Sequence, residues 1–213
     1  MDVRWDVLTI GHLSRNKFWG ESDDRSYRAP RCTSCLLRTD GLIIVVDPAL
    51  PPDGMVDVLD QRAGIVASAV DIVFLTHFHG DHRVGLDAFP DATWYMAAPE
   101  IDYWRGELEA GSEARQHLDR VHPIGEELVT GIAVVPTPGH TYHHASLLFE
   151  SDGARVVVAA DAVMTEAFFV NRAYYFNTVD AEAAVASIEK LDTLADVIIP
   201  GHDNYFLNDR NLG

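Results

Sequence analysis

A dense run of histidines and aspartates occupies positions 77 to 82 of this chain. His77, His79, Asp81 and His82 fall within six residues, directly after the apolar stretch Asp71–Leu75. Imidazole nitrogens and carboxylate oxygens are the groups that bind Zn²⁺ where no thiolate is present. Because loops at strand ends commonly carry chemistry, this spacing predicts a metal site rather than a polar loop with chance histidines.

Three more polar residues follow apolar runs further along the chain. His140 and His202 each come directly after a Pro-Gly pair, and Asp161 ends a run of alanines and valines. Proline and glycine favour sharp turns, which would present each histidine at the end of a strand. Any one of these residues is more often structural than a ligand, but together with the dense motif they indicate one metal centre.

In this order and spacing the motifs resemble those of the metallo-β-lactamase superfamily. The resemblance runs from Asp47 to His202 and so covers most of the chain. It implies an α/β fold, a four-layer αββα sandwich of mostly antiparallel or mixed sheets, with the metals in a cleft at the sheet edges. We expect residues 1–213 to form this single domain.

The resemblance also implies two metal ions that share one carboxylate. The predicted ligands are His77, His79 and His140 for the first metal, Asp81, His82 and His202 for the second, and Asp161 as the bridge. Asp47 and His144 match family positions that lie next to the metal ligands and support them without binding the metal. Zinc is the expected metal, although Fe, Mn and Co accept the same donor atoms.

This ligand set predicts hydrolysis by a metal-activated water. Two divalent ions would bring four positive charges, of which Asp81, Asp161 and a bridging hydroxide return three, so the pocket stays positive. Metal binding lowers the pKa of water from about 16 to roughly 7. We expect the hydroxide to attack a carbonyl polarised by the first metal, while Asp81 passes a proton to the leaving oxygen.

Two stretches, Leu86–Trp104 and Asp161–Leu191, resemble N-acyl-homoserine lactonases. The predicted substrate is therefore a small lactone or another carboxylic ester. Lactonases of this type often carry a tyrosine three residues after the bridging aspartate, where this chain has Met164. Tyr142, Tyr174 and Tyr175 are alternative sources of that hydroxyl.

The aromatic segment between positions 168 and 176 has two interpretations. It could line a pocket for an acyl group, or it could pack in the core or in a homodimer contact. The candidate substrate-binding residues are Met164, Phe168, Tyr174 and Tyr175.

Two other functions stay open. His79-Gly80-Asp81-His82, followed by Gly85-Leu86, resembles the tRNA-processing phosphodiesterases of the same superfamily. A formal net charge of −17 disfavours RNA as the substrate, which leaves a small phosphodiester. The second alternative is a metal-binding sensor of the same fold that performs no catalysis.

Cys32 and Cys35 form a C-x-x-C pair, which could be a redox pair or half of a zinc site. Residues three apart on a strand point to opposite faces, and no second cysteine pair completes a sulfur site. The pattern therefore favours two buried thiols.

Short runs rich in valine and isoleucine predict nine strands, and longer periodic stretches predict four helices. The strands are Val3–Ile10, Cys35–Thr39, Leu42–Val46, Asp71–Leu75, Thr93–Met96, Ile132–Val135, Ser146–Phe149, Arg155–Ala159 and Asp196–Ile199. The helices are Asp53–Ala69, Pro99–Arg105, Ser112–Arg120 and Ala181–Leu194. Asp40-Gly41 and Asp152-Gly153 predict hairpin turns, and Asp180 predicts a helix N-cap.

Composition limits the partners. The 213 residues are 47 % hydrophobic and 23 % charged, which is ordinary for a globular domain. The negative charge argues against nucleic acid and anionic membranes, no apolar run is long enough to cross a bilayer, and Met1–Ile10 lacks a signal-peptide pattern. We expect a cytoplasmic enzyme that acts on a small molecule.

Overall fold

The structure is a computed structural model that describes residues 2–209. Within this range, two six-stranded sheets pack against each other. The first sheet contains β1 Arg4–Thr9, β2 Ser34–Thr39, β3 Leu42–Val46, β4 Ile72–Leu75, β5 Thr93–Ala97 and β6 His122–Ile124, in that spatial order. The second contains β7 Glu127–Val129, β8 Ile132–Pro136, β9 Ala145–Ser151, β10 Ala154–Ala160, β11 Val197–Pro200 and β12 Phe206–Leu207, in the reverse order.

Both sheets are mixed. Strands β1 to β3 pair antiparallel, and β3 to β6 pair parallel. In the second sheet β10 and β11 are parallel, and the remaining pairs are antiparallel. The two predicted hairpin turns are confirmed, because Asp40, Gly41, Asp152 and Gly153 all have positive φ between paired strands.

Six helices accompany the sheets within residues 2–209. They are α1 Pro52–Ala63, α2 Gly80–Arg83, α3 Ala98–Glu107, α4 Glu113–Arg120, α5 Glu166–Val170 and α6 Ala181–Leu194. Short 3-10 turns lie at Lys17–Trp19, Ala67–Ala69 and Leu86–Ala88. The Asp180 side chain accepts a hydrogen bond from the Ala183 N–H, which confirms the predicted N-cap.

Side-chain alternation along the strands creates the layers. In β3, Ile44 and Val46 face the other sheet, whereas Val45 faces the helices. Outside the first sheet, Val45 belongs to a cluster that includes Leu59 of α1. Outside the second sheet, Val157 packs with Leu191 of α6 and its neighbours. The predicted four-layer αββα arrangement is confirmed.

One helix boundary was predicted wrongly. The helix expected over Asp53–Ala69 ends at Ala63, because Gly64 adopts φ 63° and its N–H bonds to the Asp60 carbonyl at 2.9 Å. A glycine in this left-handed conformation terminates a helix. The following turn, Ala67–Ala69, is a separate 3-10 segment.

The predicted burial of both cysteines is confirmed. Cys32 and Cys35 are free thiols, each fully buried. Burial raises the pKa of the Cys32 thiol to about 12 and that of Cys35 well above its usual value. Both groups are therefore protonated at neutral pH.

No helix within residues 2–209 combines the length and the apolar character needed to cross a membrane.

Candidate metal centre

The predicted ligands meet at one edge of the sandwich because the strands that carry them end there. The dense motif begins just after β4, and Asp47 follows the parallel strand β3. On the second sheet, Asp161 follows β10, and His202 follows the parallel strand β11. Carboxyl ends of parallel strands lie at the same edge, so residues far apart in sequence become neighbours.

Four donor groups form the first cluster: His77, His79, His140 and Asp161, with ligand atoms all within 4.8 Å of one another. His79 Nδ1 lies 3.0 Å from His77 Nε2 and 2.9 Å from His140 Nε2. A neutral imidazole has one donor nitrogen, so three such nitrogens cannot all satisfy each other by hydrogen bonds. A cation placed among them would accept all three lone pairs.

Asp81, His82 and His202 form the second cluster, within the same 4.8 Å limit. His202 Nε2 lies 3.8 Å from Asp81 Oδ2. Its other nitrogen, Nδ1, hydrogen-bonds the Arg31 carbonyl at 2.8 Å, which leaves Nε2 free to face the cluster. Such a partner on the far nitrogen orients the ring of a metal ligand.

Asp161 touches both clusters. Its Oδ2 lies 3.1 Å from His140 Nε2, and its Oδ1 lies 3.2 Å from His82 Nε2 and 3.3 Å from His202 Nε2. Among buried polar atoms of residues 2–209, His82 Nε2 and Asp161 Oδ1 lack a hydrogen-bond partner. Buried polar atoms are rarely left unpaired, so this donor set fits a divalent cation at the position where they converge.

Charge states in the first cluster suit metal binding. Burial holds the pKa of His77 well below its ordinary value and lowers that of His79 to about 4. Burial acts to raise the pKa of Asp161, but the adjacent His202 and His82 keep it well below its usual range. Neutral imidazoles and an ionised carboxylate are the forms that bind Zn²⁺.

Asp47 supports the ligands from behind the site. It is fully buried, and its Oδ2 accepts from Thr76 Oγ1 at 2.7 Å and lies 2.9 Å from His82 Nδ1. Its Oδ1 accepts the Thr76 N–H at 2.9 Å. The Asp47 backbone has φ 49°, a conformation that non-glycine residues adopt at a cost of about 1 kcal/mol or more. These contacts fix the start of the dense motif.

His144 is also buried beside the first cluster. Its ring centroid lies 5.1 Å from that of His77, and its Nδ1 lies 2.9 Å from Thr137 Oγ1. Burial lowers the pKa of His144 to about 3, so the ring is neutral. The structure therefore brings Asp47 and His144 to the predicted positions.

Two glycines allow the loops to approach this closely. A Cβ on Gly201 would lie 2.0 Å from Asp161 Oδ1, and a Cβ on Gly139 would lie 2.3 Å from the Ala184 nitrogen. Gly139 also has φ 134°, which side-chain-bearing residues rarely adopt. The Pro-Gly-His pattern thus has a steric cause as well as a turn preference.

A cavity of about 210 Å³ opens onto both clusters. Its floor contains His79, Asp81, His140, Asp161 and His202. Of the four predicted substrate-binding residues, Tyr175 lines this cavity, and its hydroxyl lies 2.9 Å from Ser14 Oγ. That hydroxyl also accepts from the Arg15 N–H at 3.2 Å, so it holds the segment of Ser14 and Arg15 in place.

The other three candidates do not line the cavity. Met164 and Phe168 are buried in a small apolar cluster with Leu13 and Tyr175. Tyr174 is about half exposed, and Tyr142 borders a different cavity. For Phe168 the core-packing interpretation of the aromatic segment was therefore the right one. Met164, Phe168 and Tyr174 are not among the residues that line this cavity, and a direct role of these three in substrate binding stays a prediction.

Sequence reasoning missed one wall of the cavity. It is formed by Leu13, Ser14, Arg15, Ser26 and Pro30, together with Phe176 and Asn177. These residues come from a loop-rich segment without periodicity, and none is a typical ligand type. Nothing in the local sequence marks them as neighbours of His140 or His202.

A larger cavity, of about 320 Å³, lies between the ends of β6 and β8. Its lining is mainly apolar and includes His144, but none of the seven predicted metal ligands. Because metal chemistry requires those ligands, the smaller cavity is the candidate active site.

Comparison with known proteins agrees with this geometry. The sequence pattern of the metallo-beta-lactamase superfamily matches residues 28–202 of this chain. The chain belongs to the metallo-β-lactamase superfamily. The resemblance predicted from the motifs is thereby confirmed.

Relatives within this superfamily include a metallo-beta-lactamase domain-containing protein 1 from Xenopus laevis, 34 % identical over 76 % of this chain and 66 % of its own length. An N-acyl homoserine lactonase from a Bacillus species is 30 % identical over 71 % of this chain and 62 % of its own length. The chain thus matches less than two thirds of either relative.

Among solved structures, a dizinc quorum-quenching lactonase in complex with its product superposes with a TM-score of 0.67. It is 21 % identical, and the match covers 80 % of this chain and 72 % of that structure. At this identity the likeness establishes the shared fold.

Proposed function

We propose that this chain is a dinuclear metal-dependent hydrolase that cleaves a small lactone or another carboxylic ester. The observation that carries the proposal is Asp161, whose two carboxylate oxygens face two separate histidine clusters. One carboxylate shared in this way suits two cations side by side. N-acyl homoserine lactonases among the relatives support the ester class of substrate.

In this proposal His77, His79 and His140 hold one ion, Asp81, His82 and His202 hold the other, and Asp161 binds both. Zinc fits a donor set of nitrogen and oxygen atoms, and the dizinc lactonase neighbour supports that choice. When bound, the ions would activate water and polarise a carbonyl.

Other side chains and one backbone carbonyl orient the proposed ligands, and Asp81 is placed to transfer a proton. Asp47 and the Arg31 carbonyl fix the orientation of His82 and His202 through their far nitrogens. Asp81 lines the cavity with about a fifth of its side chain exposed, so it can carry a proton between the cavity floor and the leaving oxygen. The predicted homodimer and cytoplasmic location stay predictions.

The substrate class is tested with zinc-loaded protein offered an acyl-homoserine lactone, an aryl ester and a bis-aryl phosphodiester. We expect turnover of the lactone or the ester, followed as release of acid, and little turnover of the phosphodiester. Hydrolysis of the phosphodiester alone would reject the ester proposal, and no hydrolysis of any of the three would favour a non-catalytic metal sensor.

Metal removal tests the site independently of activity. A ligand present at 1,000 times its Kd stabilises the folded state by about 4 kcal/mol. One kcal/mol corresponds to about 2–4 °C for a protein of this size. We therefore expect chelated protein to unfold at least about 8 °C below zinc-saturated protein in scanning calorimetry, with recovery when zinc is returned. Identical curves would show that no folded-state metal site exists.

A further inference from the structure

Arg15 stands at the wall of the candidate active site. It lines the same cavity as His79, Asp81, His140 and His202. Apart from the histidines, it is the one basic side chain in the cavity lining within the described part of the chain.

The guanidinium of Arg15 is held in place by neutral groups. Its carbon lies 4.0 Å above the Phe176 ring, one terminal nitrogen donates to Ser26 Oγ at 3.1 Å, and the other donates to the Asp23 carbonyl. The Arg15 backbone is fixed by Tyr175, whose hydroxyl contacts both the N–H and the carbonyl of Arg15 at 3.2 Å. The side chain is thus oriented before any ligand arrives.

Arg15 lacks an acidic partner. Between residues 2 and 209, no ion pair joins it to a carboxylate, whereas Arg28 pairs with Glu21 on the same loop. Its Nε is buried and has no hydrogen-bond partner. An arginine has five N–H donors, and a buried donor without an acceptor is costly. Each terminal nitrogen carries two N–H groups, and the contacts above use one of each, so the preorganised guanidinium keeps donors that suit a planar or tetrahedral anion.

We propose that Arg15 binds an anionic group of the substrate, a carboxylate or a phosphate, while the scissile carbonyl lies over the metal clusters. This inference rests on the proposed hydrolase function and narrows its substrate class. Arg15 and the metal clusters share one cavity of about 210 Å³, which is small beside the roughly 300–1,000 Å³ of typical ligand pockets, so the anionic group and the scissile carbonyl would lie in the same cavity. The substrate is then a short ester or lactone that carries a second, negatively charged group.

Positive charge inside the cavity would favour an anionic substrate over an uncharged one. The protein as a whole has a net charge of −17, which repels anions from most of its surface. Arg15 and two bound cations would together reverse that sign inside the cavity. An uncharged substrate would gain nothing from Arg15.

A matched pair of esters tests the proposal: 4-nitrophenyl butyrate and mono-4-nitrophenyl glutarate, which differ by one terminal carboxylate. We expect Arg15→Gln to lower the ratio of kcat/KM for the glutarate ester over the butyrate ester by about 10-fold or more. Arg15→Lys keeps the positive charge but not the planar set of guanidinium N–H donors, so it should lower this ratio less than Arg15→Gln does. Arg25→Gln removes an exposed charge from the same loop, outside the cavity, and should leave the ratio unchanged.

Binding measured by calorimetry separates this inference from the hydrolase function. Glutarate, 4-phosphonobutyrate and butyrate are titrated into zinc-loaded wild type and Arg15→Gln. If glutarate binds more tightly than butyrate to wild type but not to the variant, Arg15 binds a carboxylate. If only the phosphonate loses its affinity advantage over butyrate in the variant, Arg15 binds a phosphate. Equal weakening of all three acids, or no change in any, would overturn the role of Arg15 even if the esters are hydrolysed. If neither ester is hydrolysed but the affinity gained from a second anionic group still depends on Arg15, the proposed ester hydrolysis is rejected and the anion-binding role of Arg15 is retained.

Discussion

Asp161→Asn should reduce the zinc content from about two ions per chain to one or fewer and reduce hydrolysis by more than about 100-fold. Mutation of a residue that only hydrogen-bonds to a metal ligand typically lowers metal affinity or activity by about 10- to 100-fold. Asp161 is more central, since its oxygens lie within 3.3 Å of His82, His140 and His202. Asparagine has nearly the same shape, but it removes the negative charge and turns an N–H₂ group toward one cluster.

The matched control is Asp87→Asn. Asp87 is exposed and faces His117 Nε2 at 3.2 Å, so it forms the same kind of carboxylate–imidazole pair, and neither residue lines the cavity. Zinc content and activity should be unchanged in this control. Metal analysis of dialysed protein and steady-state kinetics provide the two measurements, and an Asp161→Asn protein with two tightly bound zinc ions and normal kcat/KM would contradict the bridging role.

The residues of the two clusters could be picked out from the sequence because each one lies near a strand end that the sequence marks. His140 and His202 follow Pro-Gly pairs, and Asp161 follows the uniformly apolar strand β10. The strand cores have strong period-2 or continuous apolar patterns, so their positions were predicted within one or two residues. The αββα architecture followed from the family resemblance and from the alternation of strands and helices.

Short elements escaped prediction because they contain too few residues to show a period. Strands β6, β7 and β12 have two or three residues each, and β6 includes a proline. They are held by pairing with neighbouring strands rather than by local propensity. Helix α2 is a single turn of four residues inside the dense histidine and aspartate motif, too short to show a helical period.

The cavity wall that contains Arg15 was not predicted, for a different reason. Arg15 reaches the cavity through contacts with Tyr175 and Phe176, about 160 positions later in the chain. Tertiary contacts of this range leave no local pattern. Tyr175, which the sequence analysis named as a substrate-binding candidate, lines the cavity, and its hydroxyl is engaged with Ser14 and Arg15. These contacts position the segment that carries Arg15.

Gly201→Ala should damage the metal centre although it changes no ligand. The added Cβ would lie 2.0 Å from Asp161 Oδ1, 2.9 Å from the Ala160 carbonyl carbon and 3.0 Å from the Asp161 nitrogen. Ala160 already has φ 43°, so the backbone there has little freedom to move. The carboxylate must therefore shift, which changes the distances of Asp161 Oδ1 from His82 and His202. We expect at least about 10-fold weaker zinc binding, comparable with the loss of an outer partner.

The same substitution should also destabilise the fold, because overpacking a buried site costs about 1–3 kcal/mol. For this chain length that corresponds to a fall of about 2–12 °C in Tm. Gly106→Ala is the matched control, since a Cβ at Gly106 meets no atom within 4 Å and alanine favours the helix α3 in which it lies. Calorimetry on chelated and on zinc-saturated samples separates the two effects: the chelated samples report overpacking alone, and the increment on adding zinc reports the site. A Gly201→Ala protein that gains as much stability from zinc as wild type would show that Asp161 tolerates displacement, and the tight approach of β10 and β11 would then have no part in metal binding.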